Sequence, residues 1–411
     1  MYHNALEGAA PAARREAQWK TLCALIRKAA KASREFQTRL ALSGLTLREA
    51  QTPEGFAALP PLRKKELIGL QAEQGLDWLL ACKPGELSRI YQSPGPLFDP
   101  EGRGRDYWGW TEAFHAAGFR KGDLAQMTFS YHLTPAGLML EEPLRELGCA
   151  VIPAGPGNTE VQAELMRRLP VTGFVGMASY LKVIGEKIRS LGLNPKTDLA
   201  LRKAFVAAER LTPALRAEVE ELFGCTVRQG YGTADVGCIA YECERADGMH
   251  LSSRAWVEIC DPATGRPLPT GEIGEVVVTP FARDYPLIRL ATGDLSSLIE
   301  APCPCGRTSL RLDGIKGRAD DTAKVKGQFI YPAQAAQVAA QFPGIRAWQI
   351  VITNPGGKDR LAVRLAVAGK LDVGAFQGAF QALLKLKPEV EVLGPEGIAQ
   401  DAKRLEDNRT F

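Results

Sequence analysis

Three cysteines and one histidine stand at spacings that could hold a metal: Cys243 and His250 form a C-x6-H pair, and Cys303-Pro-Cys305 follows further along the chain. Three thiols and an imidazole make up the four-ligand tetrahedral set of a structural zinc ion, closed on all sides and therefore unsuited to catalysis. The spacing is not that of a standard zinc finger, so three buried thiols beside a surface histidine stay open as the alternative. Other cysteines, such as Cys23, Cys149, Cys225 and Cys260, stand singly in apolar contexts as buried thiols do. No disulfide framework is expected. His132, in Met127-Thr-Phe-Ser-Tyr-His132, has no partner visible in the sequence and is not assigned as a base. Further chemistry-bearing residues gather in four short runs: Gln229-Gly-Tyr-Gly-Thr-Ala-Asp-Val-Gly237, Pro286-Leu-Ile-Arg-Leu-Ala-Thr-Gly-Asp294, Pro302-Cys-Pro-Cys-Gly-Arg-Thr308 and Gly317-Arg-Ala-Asp-Asp321.

The elements that must position these groups can be read from hydrophobic spacing. Residues 1–50 carry apolar side chains at helical intervals, including Leu22, Leu25 and Ile26, and read as an amphipathic helical lead-in. From about 85 to 240, short apolar runs at 124–129, 149–153, 173–176, 204–207 and 226–230 alternate with helical stretches at 160–168 and 213–222. Such alternation predicts a parallel α/β sheet covered on both faces. Residues 240–316 turn β-rich, with turn signals at Asp261-Pro-Ala-Thr-Gly265 and Pro269-Thr-Gly271, and read as a β subdomain. Helical 333–341 and 373–384 and strand-like 348–353 and 361–367 then predict a small terminal α+β domain. The boundaries expected are a lead-in at 1–50, a large domain at 51–317 and a small domain at 318–411.

Bulk properties narrow the function classes. A 411-residue chain that is 45% hydrophobic and 24% charged can bury a large core. Its 51 basic and 47 acidic side chains leave a net charge of only +4, so neither nucleic acid nor a membrane surface is expected as a partner. No apolar run is long enough to span a bilayer and the first residues lack a signal-peptide pattern, which points to the cytoplasm. Oligomeric state is not legible, a homodimer being one arrangement left open.

Taken together, the runs at 229–237, 286–294, 302–308 and 317–321 resemble those of the phenylacetate–CoA ligases, a group of adenylate-forming enzymes. The resemblance extends from about residue 55 to the end of the chain. It implies a large AMP-binding α/β domain and a small mobile terminal domain, with ATP or AMP, Mg²⁺ and coenzyme A as ligands and a carboxylic acid, an aryl acid by the likeness, as substrate. Asp294 would accept hydrogen bonds from the ribose hydroxyls, a task suited to the two oxygens of a carboxylate. Arg318 would reach the ribose, and Asp320 would be the hinge of the terminal domain. The Gly230, Tyr231, Gly232 and Thr233 run would line the nucleotide site with Tyr231 facing the adenine, and Asp235 would help to bind Mg²⁺. Ala208 and Glu209 would lie beside the adenine, and Phe129 and Tyr131 beside the acid. The group carries a similar Cys, His, Cys, Cys set, some of whose members look to be zinc proteins. Phe129 and Tyr131 equally fit two aromatics on one face of a strand.

The chain departs from that pattern in two segments. Arg89-Ile-Tyr-Gln-Ser-Pro-Gly-Pro-Leu-Phe-Asp-Pro100 stands where the resemblance expects Ser-Ser-Gly-Thr-Thr-Gly-Lys-Pro, and it matches only at Ser93, Gly95 and Pro100. Pro94 and Pro96 lack N–H groups and Asp99 brings a negative charge in place of lysine, which suits triphosphate poorly and reads as a Pro-rich surface loop. At the terminus, Asp401 takes the position of the expected lysine, leaving Lys403 as a substitute or as a solvated surface side chain. The expected reaction is ATP-dependent formation of an acyl-adenylate and then of an acyl-CoA thioester. The alternative is a nucleotide-binding homologue that lacks adenylation.

Overall fold

The computed structural model describes residues 2–93, 97–319, 323–325, 328–330, 332–355, 359–399 and 401–409. The chain forms two compact units, one of Met1–Thr292 with Ser296–Gly314 and one of Gly293–Leu295 with Ile315–Phe411. The cut thus falls a few residues before the 317/318 boundary expected from sequence.

In the larger unit, the helix Pro11–Ala32 starts on a proline, whose missing N–H costs nothing in a first turn. Leu22, Leu25, Ile26 and Ala29 form its buried stripe and, with Phe36 of the helix Arg34–Leu42, pack on Phe56, Leu59, Trp256 and Ile288. The lead-in is therefore part of the core beside the β-rich segment.

A nine-stranded sheet forms the body of this unit. Strands Ala150–Pro153, Leu124–Met127, Gly173–Gly176, Lys203–Val206 and Thr226–Thr233 lie side by side in parallel, as the strand–helix alternation requires. Helices Thr159–Arg168, Ala178–Ser190 and Pro213–Phe223 connect successive strands, and buried side chains cover both faces. The sheet then changes sense. Gly237–Tyr241 runs antiparallel to Thr226–Thr233, followed by Met249–Leu251, Arg311–Leu312 and Leu298–Ile299. Strand Leu124–Met127 ends two residues sooner than expected, and Thr226–Thr233 runs three residues longer because pairing with Gly237–Tyr241 continues past Gly230.

The β-rich segment is divided between two sheets. Its ends extend the nine-stranded sheet, while Ala255–Cys260 and Gly274–Pro280 belong to a second sheet with Leu62–Arg63 and the strand Leu290–Ser296. In the smaller unit, Arg360–Val367 and Ile345–Thr353 form the centre of a four-stranded sheet with Glu389–Leu393 and Leu405–Asp407 at its edges. Phe376, Phe380 and Leu384 of the helix Val373–Leu384 pack against it.

Candidate functional site

In the larger unit, Thr226–Thr233 carries the glycine and tyrosine run at the point where the sheet changes from parallel to antiparallel. Gly230 and Gly232 are small for a packing reason: a Cβ at Gly230 would lie 2.5 Å from the ring of Phe205 and 2.6 Å from that of Trp110, and one at Gly232 would lie 2.6 Å from the Trp110 ring and 2.1 Å from the carbonyl oxygen of Gly237. Tyr231 is half-buried and its hydroxyl donates to Thr292 Oγ1 at 3.2 Å, while Thr292 donates to the carbonyl of Val276. The tyrosine ring is thereby fixed against the second sheet.

Asp235 follows in the turn, 3% exposed, with Thr233 Oγ1 donating to Oδ2 at 3.3 Å and Lys64 Nζ at 3.2 Å. Lys64 opens the helix Lys64–Gln74, and sequence reasoning had given neither residue this partner. The same helix anchors the segment expected to be a surface loop. Arg89–Ser93 and Leu97–Glu101 instead form an antiparallel hairpin, with Ser93 opposite Leu97; Gly95 lies outside the described residues. Gln71 grips the hairpin twice, accepting from the N–H of Phe98 at 2.7 Å and donating to its carbonyl at 2.9 Å. Leu97 is buried in the core and Asp99 is 0% exposed, which corrects the surface-loop expectation. Ser93 Oγ donates to Asp99 Oδ2. Burial, and then the neighbouring Asp235 carboxylate, push Asp99 up to about 7. The Oδ1 atoms of both aspartates are buried without a hydrogen-bond partner among the described residues.

Two of the residues expected beside ligands also make bonds within the protein. Ala208 has a left-handed backbone (φ 69°), which turns Glu209 back toward the helix Ala178–Ser190. There the Glu209 carboxylate accepts from the N–H and Oγ of Ser179, both at 2.7 Å. Met177 at that helix start offers no side-chain cap, so Glu209 serves in its place. Glu209→Ala is expected to cost about 1 kcal/mol of stability, measurable as a lower midpoint in chemical denaturation. Phe129 and Tyr131 lie beyond the strand end at Met127 and so are not two aromatics of one strand face. Both are half-buried against the cluster that holds Phe114 and Phe119. Tyr131 Oη donates to Glu141 at 2.6 Å, and Gly137, whose Cβ would meet the ring at 2.8 Å, lets that ring rest on the helix Ala136–Glu146.

In the smaller unit, Asp294 and Arg318 face each other across an antiparallel pair of strands. Arg318 Nη1 donates to Asp294 Oδ1 at 2.9 Å and its guanidinium lies over Gly293, which has no Cβ to obstruct it. Asp320 lies outside the described residues, and Lys403 is exposed to solvent.

The cysteine and histidine set comes together in the larger unit. One ligand atom from each of Cys243, His250, Cys303 and Cys305 lies within 4.8 Å of all the others. Cys243 Sγ and Cys303 Sγ are 3.8 Å apart, too far for a disulfide. A tetrahedron with Zn–S bonds of about 2.3 Å has S–S edges of about 3.8 Å. Cys305 Sγ is 3.3 Å from His250 Nε2, while His250 Nδ1 is held by Ser309 Oγ at 3.0 Å, leaving Nε2 turned toward the sulfurs. Backbone N–H groups of Arg245 and Arg307 each donate at 3.4 Å to the sulfurs of Cys243 and Cys305. Burial pushes the Cys243 thiol up to about 12 and lowers His250 to about 4, so the imidazole is neutral, as a ligand must be. The donor types and the Cys243–Cys303 edge fit a closed tetrahedral metal, with three of the ligand residues buried and Cys305 half-buried.

A parallel sheet that turns antiparallel at a Gly-Tyr-Gly strand, together with a small α+β unit, defines the fold as that of the adenylate-forming enzymes. The AMP-binding enzyme family model matches residues 127–280. A 2-hydroxyisobutyryl-CoA ligase, solved in an open conformation in complex with 2-HIB-AMP and CoA, superposes with a TM-score of 0.88 at 25% identity, covering 98% of this chain and 93% of that one. MatB from Rhodopseudomonas palustris, in its apo form, shares the fold at TM-score 0.52 and 16% identity, over 78% of this chain and 68% of that one. A phenylacetate–coenzyme A ligase of Thermus thermophilus is 32% identical over 334 residues, 77% of this chain and 74% of that protein. Another, from Escherichia coli K12, is 31% identical over 68% of this chain and 66% of its own length. The chain belongs to the phenylacetate–CoA ligase family.

Proposed function

We propose that this protein is an ATP-dependent acid–CoA ligase that joins a carboxylic acid, an aryl acid by kinship, to coenzyme A. The observation that carries the reading is the likeness, over 77% of the chain, to a protein whose name states that activity. In the first half-reaction a carboxylate oxygen of the acid attacks the α-phosphorus of ATP; the new P–O bond forms as the bond to pyrophosphate breaks. In the second, the CoA sulfur attacks the acyl carbonyl carbon, AMP leaves with the C–O electron pair, and the thiol proton passes to solvent.

Each residue role in this reading is a proposal. Asp294 accepts from the ribose hydroxyls and Arg318 steadies its carboxylate, to which it is already bonded. Tyr231 presents its ring to the adenine, with Gly230, Gly232 and Thr233 shaping the strand beneath. Asp235 binds Mg²⁺, which when present offsets phosphate charge; its oxygen donors suit that hard cation. Ser93 flanks the phosphates and Phe129 the acid. Asp320 is the hinge. Cys243, His250, Cys303 and Cys305 hold a structural zinc ion. The protein acts in the cytoplasm, with no membrane or nucleic-acid partner, as a monomer or a homodimer.

A second reading, a nucleotide-binding homologue without adenylation, draws on two observations: Asp99 is buried beside Asp235, and Lys403 is exposed. Loss of one preorganised cation typically lowers kcat by about 10²–10³. Acid-dependent exchange of labelled pyrophosphate into ATP, measured over a panel of aryl and aliphatic acids, separates the two. Exchange with at least one acid is expected. Its absence across the panel, with AMP still bound, would favour the second reading.

A further inference from the structure

One helix of the larger unit holds two segments that the ligase reading gives to different substrates. Tyr131, in the segment beside the acid, donates to Glu141 of the helix Ala136–Glu146 at 2.6 Å. The next residue, Glu142, lies 2.6 Å from Nη1 of Arg89, at the base of the hairpin formed by Arg89–Ser93 and Leu97–Glu101. The same Nη1 donates at 2.7 Å to Glu101, its cross-strand neighbour. Glu101 is 2% exposed, and its other oxygen accepts from Tyr91 Oη at 2.8 Å and from Trp108 Nε1 at 3.3 Å, so the strand end that Arg89 grips is itself fixed. A second link lies further along the hairpin, where the N–H of Gln92 donates to the carbonyl of Leu133 at 2.8 Å. Leu133 has a left-handed backbone (φ 60°) that leucine seldom adopts. Its side chain is 58% exposed, so packing offsets little of that strain, whereas the bond from the hairpin holds the backbone in place.

We propose that Arg89 is a positioning residue: through Glu142 it sets the hairpin that flanks the phosphates at a fixed distance from the segment that holds the acid. The inference rests on the acid–CoA ligase reading, in which a carboxylate oxygen of the acid must reach the α-phosphorus. Two reactants bound by separate elements react at a rate set by how firmly those elements are held to each other, and a misplacement of about 1 Å can cost about a hundredfold. Arg89 touches neither substrate in this reading and acts on the hairpin alone. Its planar guanidinium bonds Glu101 and Glu142 at once, which an ammonium on a flexible stem does less firmly. Gln71 secures the opposite edge of the hairpin at Phe98, so Arg89 and Gln92 close the side that faces the acid segment.

The test compares the full-length wild type with Arg89→Gln and with Glu142→Gln, the second of which leaves the pair of Arg89 and the buried Glu101 intact. In acid-dependent pyrophosphate exchange, both variants should lose about tenfold or more in kcat while KM for ATP and for the acid stays within about threefold, the split expected when binding survives and alignment does not. Arg89→Lys should recover only part of the loss. The double variant should be no slower than Arg89→Gln, because both substitutions act through one bond. Unchanged kcat in Glu142→Gln, or single losses that multiply in the double variant, would overturn the proposal. Amide hydrogen exchange supplies a measurement that needs no turnover: the Gln92 amide should exchange about tenfold faster in Glu142→Gln, with the amides of Gly173–Gly176 unaltered. A Gln92 amide that does not respond would overturn the proposal even in a protein without activity. A responding amide in a wild type that exchanges no pyrophosphate with any acid would sustain the link and count against the ligase reading, whereas an active wild type with unaffected variants would count against Arg89 alone.

Discussion

Cys303→Ser is expected to yield protein without stoichiometric zinc and with a thermal midpoint lowered by on the order of 5–10 °C. Cys303 is 6% exposed and its sulfur stands one tetrahedral edge from Cys243. The four ligands come from two stretches of chain: Cys243 after the strand Gly237–Tyr241 with His250 within Met249–Leu251, and then Cys303 and Cys305 in the segment that leads to Arg311–Leu312. A metal there ties together strands that already neighbour one another in the nine-stranded sheet, so the fold should survive its loss. The magnitude follows from linkage: an ion present at a thousand times its dissociation constant stabilises by about 4 kcal/mol, which is worth some degrees in a domain of this size. A further consequence reaches the N-terminus. Arg307, two residues from Cys305, bonds the buried carboxylate of Glu7 at 2.7 Å, and the N–H of Thr308 donates to the carbonyl of Glu7. Loosening the metal loop should therefore raise hydrogen exchange over residues 4–9 as well. Elemental analysis of freshly purified wild type and variant, with thermal melts of both, checks the prediction; a wild type free of zinc would refute it.

Arg289→Ala should destabilise the larger unit by about 3–5 kcal/mol, the cost of leaving a buried charge without its partner. The side chain is 0% exposed and is surrounded by acceptors. Its Nε meets Glu258 Oε2 at 3.1 Å, Nη1 donates to the carbonyls of Ala57 and Leu59, and Nη2 donates to the carbonyl of Gly265 at 2.8 Å. Three chain segments are held by one guanidinium. Burial raises Glu258 above the usual carboxylate range and Arg289 acts against it, so removing the arginine leaves an unfavourable buried anion. Arg289 also holds a left-handed backbone (φ 54°), which alanine relieves no better. Chemical denaturation followed by tryptophan fluorescence measures the loss, and a shift under about 1 kcal/mol would show that the network relaxes around the gap. Arg289→Lys should recover little, because an ammonium cannot reach carboxylate and carbonyls in one plane as the guanidinium fork does.

The architecture was largely legible because it depends on local pattern. Apolar runs bracketed by turn residues marked the parallel strands, and the helical stripe at Leu22, Leu25 and Ile26 marked the lead-in. Strand ends were less legible: Thr233 stays in its strand only because Gly237–Tyr241 is there to pair with it. The segment at 89–100 was read as a surface loop from its prolines. Its flanks became a half-buried hairpin, held where Gln71, some distance back in the chain, satisfies the backbone of Phe98. Lys64 gave no signal, since a lysine at the start of a helix is ordinarily solvated.

By itself, the sequence determined which chemical groups the protein possesses and which family they resemble: thiols and imidazole at metal-binding spacing, the Tyr231 strand, Asp294 and Arg318. These are properties of residue type and short spacing, which survive whatever the rest of the chain does. Tertiary structure alone decided which groups meet. It turned Glu209 onto a helix end, drew Tyr131 to Glu141, closed Arg289 into the core and set Asp99 against Asp235. Each of these pairings joins residues that only packing brings together, where burial removes water and obliges every charge and hydrogen-bonding group to find a partner within the protein.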